Sequence, residues 1–221
     1  AFVEAYAQWG HQRSLLINME GHGREMLFDD VDISRTIGWF TVLYPLLLKA
    51  PRAQNSSQLV QSIKSQLRSV PRNGIGYGLL RYLSDEISRQ KLVAMPQAEI
   101  SFNYLGQFDK ILDKNSPFEP ASESKGRDRS PHAQRDNLID ITANIGGNQL
   151  HVNFTYNKTI HKQETIQRLA NFYMQELHKL VATDTDSDKE KPSPQAKSTK
   201  LDKRQLGKVL GQLNKGKGKS I

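Results

Sequence analysis

The sequence between residues 138 and 156 constrains the fold more than any other part of the chain. Apolar and polar residues alternate in residues 138–145 and again in residues 149–156, and Gly146-Gly147-Asn148 joins the two runs. A period of two is typical of strands with one buried face, and glycine and asparagine tolerate the positive φ angles of a tight turn. The segment therefore predicts an antiparallel hairpin, in which His151 points to solvent or to a neighbouring side chain.

Three further segments predict strands. Residues 14–19 are mostly apolar, and residues 39–48 are rich in aromatic and branched residues, with Pro45 expected to interrupt the strand. Residues 98–106 alternate, so that Asn103 faces away from Phe102 and Tyr104. From the pattern alone, Asn103 either satisfies a backbone group in the core or reaches into a cleft.

Helical spacing predicts packing helices over residues 2–10, 56–70 and 161–181. The first presents a stripe of Phe2, Val3, Tyr6 and Trp9, interpreted as core. Residues 71–82 carry three glycines before a short helix, but no Gly-Lys-Ser/Thr follows, so a close backbone approach is favoured over a phosphate loop. Residues 113–136 are polar and are expected to form a long surface excursion.

The chain has 221 residues with 37% hydrophobic content, enough for a real core, and strands mixed with helices predict an α/β fold. There is no cysteine, which excludes disulfides, thiolate catalysis and Cys-based zinc sites. No run of 18 apolar residues occurs, and the first residues do not resemble a signal peptide. We therefore expect a cytoplasmic protein without a membrane partner.

The net charge of +8 is concentrated near the C-terminus. Residues 183–221 hold 10 Lys/Arg and 5 Asp/Glu, a net of +5, which leaves +3 for residues 1–182. This region has no aromatic residue for stacking on bases, so nucleic acid is not an expected partner. The composition of residues 183–200 predicts a disordered linker, and residues 201–221 are expected to form a basic tail. Leu206, Val209, Leu210 and Leu213 stand at helical spacing, which indicates either a short docking helix or chance periodicity in a frayed tail.

Titratable groups are crowded where the first predicted strand ends. Within five residues the sequence places Glu20, His22 and Arg24, separated by Gly21 and Gly23. A functional site is often built in this way, on a loop that follows a strand. The alternative is a polar turn whose charges only pair with each other.

Four motifs in register resemble the later core motifs of epimerization domains in nonribosomal peptide synthetases. They are Glu20-Gly-His-Gly-Arg-Glu25, Arg35-Thr-Ile-Gly-Trp-Phe-Thr41, Pro71-Arg-Asn-Gly-Ile-Gly-Tyr-Gly78 and Phe102-Asn-Tyr-Leu-Gly-Gln-Phe108. The resemblance covers roughly residues 1–182. It implies a chloramphenicol-acetyltransferase-like lobe, with a mixed sheet and packing helices, as the C-terminal half of a two-lobed domain that encloses a tunnel. The adjacent His-His signature of the N-terminal lobe is absent from this sequence, so we expect the fragment alone to be inactive.

By resemblance, the reaction inverts the α-carbon of an aminoacyl or peptidyl thioester on the phosphopantetheine arm of an upstream peptidyl carrier protein. Glu20 matches the catalytic acid/base. Arg35, Asn103 and Tyr104 match positions that orient groups or hydrogen-bond Glu20 or the thioester. His22 and Arg24 are expected to support the loop. The remaining matched positions are tunnel or loop residues: Gly21, Gly23, Trp39, Gly76 and Tyr77. Trp39 is expected in the tunnel wall or the core, and no metal or directly bound cofactor is expected.

Two alternatives remain open. A condensation-type domain would share the fold and form an amide instead. A non-catalytic docking fragment would hand intermediates to a downstream synthetase through the C-terminal helix.

Overall fold

The structure is a computed structural model of the 221-residue chain, and it describes residues 1–52, 55–108 and 133–184, with isolated residues between 117 and 130. Most of the predicted surface excursion, nearly all of the predicted linker and the whole basic tail lie outside the described residues. So does the predicted docking helix.

The described residues form five helices and five strands with one 3-10 turn. The helices are α1 (Phe2–Gly10), α2 (Ser56–Arg68), α3 (Ile75–Leu83), α4 (Glu86–Val93) and α5 (Gln163–Asp184). The strands are β1 (Ser14–Gly21), β2 (Val42–Lys49), β3 (Ile100–Gln107), β4 (Ile139–Gly146) and β5 (Gln149–Tyr156). The 3-10 turn spans Pro71–Gly74 and leads directly into α3.

The strands make one mixed sheet in the order β2-β1-β3-β4-β5. The two outer pairs, β1 with β2 and β4 with β5, are antiparallel, whereas β3 runs parallel to β1 and to β4. The β4–β5 pair is the predicted hairpin, with Asn148 and Gly147 at positive φ in its turn. The predicted mixed α/β fold with packing helices is confirmed for the described residues.

One face of the sheet carries the hydrophobic core. Ile17 of β1, Ile100 of β3 and Ile141 of β4 point to this face, and they pack with helices α1 and α5 through side chains that include Phe2 and Leu169. Burial of large aliphatic side chains of this kind stabilises a fold by roughly 1.5–3 kcal/mol each. We call this side of the sheet the covered face, and the other side the open face.

The structure differs from the sequence prediction at three places. Pro45 does not interrupt its strand: it pairs with Asn18 within β2, an edge strand, where a residue without an N–H group is tolerated. Strand β1 continues two residues beyond Met19, so that Glu20 belongs to the strand. Helix α4 was not predicted, and Asp85 caps it by accepting a hydrogen bond from the Ser88 N–H at 2.9 Å.

None of the described helices combines the length and hydropathy that a membrane span requires.

Candidate active site

Glu20 and Asn103 meet on the open face of the sheet. The Asn103 side-chain amide donates a hydrogen bond of 2.5 Å from Nδ2 to Glu20 Oε2. The two residues come from neighbouring parallel strands, one position beyond the last registered pair, Met19 with Phe102. Both side chains are half-buried. The Asn103 amide therefore bonds a carboxylate on the open face, and its reach into a cleft stays a prediction.

The chain leaves β1 through Gly21 and Gly23. A larger residue at either position would displace neighbouring atoms. A Cβ atom at Gly23, where φ is +67°, would lie 1.6 Å from the carbonyl oxygen of Phe40. One at Gly21 would lie 3.2 Å from Val42 Cγ2. The loop thus returns closely against the start of β2, and this close return keeps it beside Glu20.

Arg24 organises the loop between β1 and β2. Its guanidinium donates hydrogen bonds to the carbonyl oxygens of Ile33 (2.7 Å), Thr36 (2.8 Å) and Gly38 (3.2 Å). It also lies 4.3 Å from the centre of the Phe40 ring. A planar fork of five donors can satisfy three carbonyls and stack on a ring at once, which a lysine cannot do. Arg24 therefore ties the loop together through its carbonyl groups and the Phe40 ring.

His22 pairs within the same turn. Its Nδ1 accepts a hydrogen bond from the Arg24 backbone N–H at 3.0 Å, which leaves the ring proton on Nε2, 3.4 Å from Glu25 Oε1. Burial raises the pKa of the nearby Tyr44 phenol, and the Glu25 carboxylate raises it further, so Tyr44 stays neutral. This part of the turn pairs with itself, whereas Glu20 reaches across to β3.

The glycine-rich segment holds a helix against the strands. A Cβ atom at Gly74, where φ is +86°, would lie 1.9 Å from the Tyr44 ring, so the turn before α3 touches β2 directly. This is the close backbone approach expected from the sequence. Gly76 and Tyr77 lie in the first turn of α3, and nothing is within 4 Å of a Cβ at Gly76.

Other predicted site residues are not brought to Glu20 by this chain. Arg35 is exposed on the loop and has no hydrogen bond or ion pair with a described residue. Tyr104 alternates with Asn103 and is 49% exposed. Trp39 is 89% exposed, because the loop that Arg24 holds turns the indole outward. The sequence analysis expected Trp39 in the tunnel wall or in the core. For the described residues the core is wrong, and the tunnel wall stays a prediction.

The structure adds residues that the sequence analysis did not single out. Leu43 of β2 is registered opposite Glu20 and is 48% exposed, and Leu105 of β3 is 45% exposed. Leu43 places apolar surface beside the carboxylate on the open face. Alternation along β2 and β3 was the available signal, but which face remains uncovered depends on where the helices pack.

Two other features were considered as sites. An apolar cleft of about 340 Å³ between α1, α2 and the sheet is lined by covered-face residues such as Met19 and Phe102, so it lies on the side opposite Glu20. Among the described residues no group of three or more His, Asp or Glu side chains could hold a metal ion.

The described residues form an α/β structure in which a carboxylate and an amide pair on the open face of the sheet. The family model described as "Condensation domain" matches residues 2–201. The chain belongs to the condensation-domain family.

The relatives are parts of peptide synthetases. The chain is 41% identical to a linear gramicidin synthase polypeptide of Brevibacillus parabrevis over 96% of its own length, but it spans only 3% of that protein. It is 36% identical to gramicidin S synthase 1 of Brevibacillus brevis over 80% of its length, and it spans 17% of that protein.

Among solved structures, the chain is similar to the epimerization domain from the third module of tyrocidine synthetase B. The TM-score is 0.73 at 35% identity, with 82% of this chain and 40% of the other covered. A condensation domain from the enacyloxin polyketide synthase, with a TM-score of 0.55 at 12% identity, shares the fold over 88% of this chain and 36% of its own.

Proposed function

We propose that the chain is the C-terminal lobe of an epimerization domain in a nonribosomal peptide synthetase. Its substrate is an aminoacyl or peptidyl thioester on the phosphopantetheine arm of a peptidyl carrier protein. The hydrogen bond between Glu20 and Asn103 is the observation that carries this proposal. The similarity to a solved epimerization domain at 35% identity supports it.

Glu20 acts as the base at the α-carbon. Its carboxylate takes the α-proton, the electron pair of the broken C–H bond moves into the enolate of the thioester, and the carboxylate becomes a carboxylic acid. A proton returns to the opposite face of the planar enolate, and the configuration inverts. An acid on that opposite face has to come from outside this lobe, and we propose that the N-terminal lobe supplies it.

Asn103 orients the carboxylate of Glu20. Its amide donor holds one carboxylate oxygen of Glu20 and so sets the direction in which the carboxylate faces the open side of the sheet. Fixing the carboxylate in advance lowers the cost of reaching the reactive geometry. The exposed Leu43 beside Glu20 excludes water from the reacting carbon once substrate covers it.

The test uses the full synthetase with the carrier protein loaded by its own module. Glu20→Gln keeps the size and the hydrogen-bond acceptor for Asn103 but removes the base, so exchange of the α-proton into deuterated water should fall at least about 10²-fold. Mass spectrometry of the released amino acid or peptide measures the exchange.

The matched control is Glu164→Gln, an exposed glutamate in the first turn of α5, which should leave exchange unchanged. Undiminished exchange in Glu20→Gln would remove Glu20 from the reaction. If the wild-type protein forms an amide between two carrier-bound substrates without α-proton exchange, the chain belongs to a condensation-type domain.

A further inference from the structure

A second row of polar side chains lies beside the Glu20–Asn103 pair on the open face. Asn18 of β1, Ser101 of β3 and Asp140 of β4 are registered neighbours across three adjacent strands. Asn137 and Arg135, just before β4, bond to the same row. We call these five residues the cross-strand network.

The network is closed by hydrogen bonds around Asp140. Asp140 Oδ1 accepts from Ser101 Oγ at 2.6 Å and from Asn137 Nδ2 at 3.2 Å, and its Oδ2 accepts from the Arg135 guanidinium. Asn137 Oδ1 in turn accepts from Asn18 Nδ2 at 2.9 Å. The side chain of Asn137 therefore links β1 to β4 over the intervening strand β3.

The network lies within the short stretch over which β1 and β3 are paired, next to the point where that pairing ends. Strands β1 and β3 are registered only from Ile17–Ile100 to Met19–Phe102, and the pairing ends one residue before Glu20 and Asn103. The Asn18–Ser101 row is two residues earlier on the same face. Ser101 is 6% exposed, so its hydroxyl sits where an unpaired polar group is costly, and the bond to Asp140 satisfies it.

We propose that Asn18, Asn137 and Asp140 are positioning residues for the reaction at Glu20. By tying β1 and β4 together over β3, they fix the separation of the strand ends that carry Glu20 and Asn103. The inference rests on the proposed function. Its physical basis is that a displacement of about 1 Å in a reacting group can lower a rate about 10²-fold.

Asn137→Ala is the least disruptive test. It removes the link to Asn18 but leaves Asp140 bonded to Ser101 and Arg135, so the fold keeps its buried hydroxyl and its ion pair. In the full synthetase we expect kcat for α-proton exchange to fall about 10-fold with KM unchanged. The matched control is Asn153→Ala, an exposed asparagine on β5 of the same sheet face, and it should leave both constants unchanged.

A double-mutant cycle separates positioning from a general loss of structure. If Asn137 acts through the Glu20–Asn103 bond, Asn137→Ala should lower kcat less than about 2-fold once Asn103→Ala has already broken that bond. A full loss of about 10-fold in the Asn103→Ala background would overturn the proposal, because the two residues would then act independently.

A reciprocal exchange provides a rescue. Asn137→Asp places a second carboxylate against Asp140, and repulsion should lower kcat further than Asn137→Ala does. Adding Asp140→Asn restores one donor and one acceptor between the two positions, while the carboxylate introduced at position 137 would still accept from Asn18 Nδ2. We expect the double variant to recover at least about 3-fold in kcat.

The outcomes distinguish this inference from the proposed function. If the wild-type synthetase exchanges the α-proton and Glu20→Gln abolishes it, but Asn137→Ala behaves like Asn153→Ala, the network has no positioning role and the proposed function stands. If the wild-type protein shows no exchange, the proposed function itself fails.

Discussion

The two faces of the sheet differ although the same strands build them. Met19 and Phe102 point to the covered face, and the next residues, Glu20 and Asn103, point to the open face. The covered face is apolar and is buried under α1 and α5, whereas the open face carries paired polar groups and half-exposed leucines. Side chains one residue apart therefore belong to the core and to the proposed site, and mutations on the two faces should change different properties.

Leu169→Ala tests the covered face and has the largest expected effect. Leu169 on α5 is fully buried against the sheet, and loss of a large aliphatic side chain at such a site costs about 3–5 kcal/mol. Hydrogen–deuterium exchange of the β1, β3 and β4 amides in the full synthetase should become much faster. Leu47→Ala on β2, 51% exposed on the open face, is the control and should cost less than about 1 kcal/mol. Equal effects at both sites would contradict the division between the faces.

Gly23→Ala tests the loop that borders the open face. Because the new Cβ would meet the Phe40 carbonyl oxygen at 1.6 Å, the loop that follows Glu20 has to shift. We expect α-proton exchange to fall about 10²-fold, equivalent to about 2.7 kcal/mol in the barrier, while amide protection of the covered-face core is retained.

Gly10→Ala serves as the control for that variant. Gly10 ends α1, and nothing lies within 4 Å of a Cβ there, so exchange of the α-proton should not change. Loss of core protection in Gly23→Ala would mean that the loop belongs to the folding core instead of the site.

Arg24→Lys has the smallest expected effect. A lysine keeps the charge but cannot bond three carbonyl oxygens and stack on Phe40, so the loop loosens without losing its path. The rate of α-proton exchange should fall about 10-fold, with a change in stability below about 1 kcal/mol. Arg68→Lys, exposed on α2, is the control. A variant as active as the wild type would show that the loop keeps its shape without Arg24.

Local sequence patterns predicted most of the helices and strands, but they did not predict how these elements pack against each other. The hairpin, α1 and β3 followed from periodicity because their alternating or helical stripes are long and clear. Pro45 was misjudged because an edge strand tolerates proline and a sequence does not show which strands are edges. Helix α4 was missed because the helix is short and its apolar spacing is weak, and only the Asp85 cap signals its start.

The candidate site divides in the same way. The motif resemblance identified Glu20 and Asn103 as candidate site residues. The crowding of titratable groups after the first predicted strand indicated either a functional site or a polar turn there. The resemblance left open whether Asn103 orients other groups, bonds Glu20 or bonds the thioester, and the observed bond is the one to Glu20. The sequence alone did not predict that Trp39 is exposed or that Asn137 bridges to Asn18, because each depends on how segments far apart in sequence lie in the folded chain.

The sequence by itself determined that the chain builds an amphipathic sheet with packing helices and that a carboxylate lies near the end of its first strand. These are local consequences of residue order: alternation, helical spacing, glycine and capping residues. Only the tertiary structure decided which side of the sheet the helices cover and which strands lie side by side. Parallel pairing of β1 with β3 brings the Asn103 amide to Glu20, 83 residues earlier in the chain. The contact that carries the proposed chemistry is therefore a property of the assembled sheet.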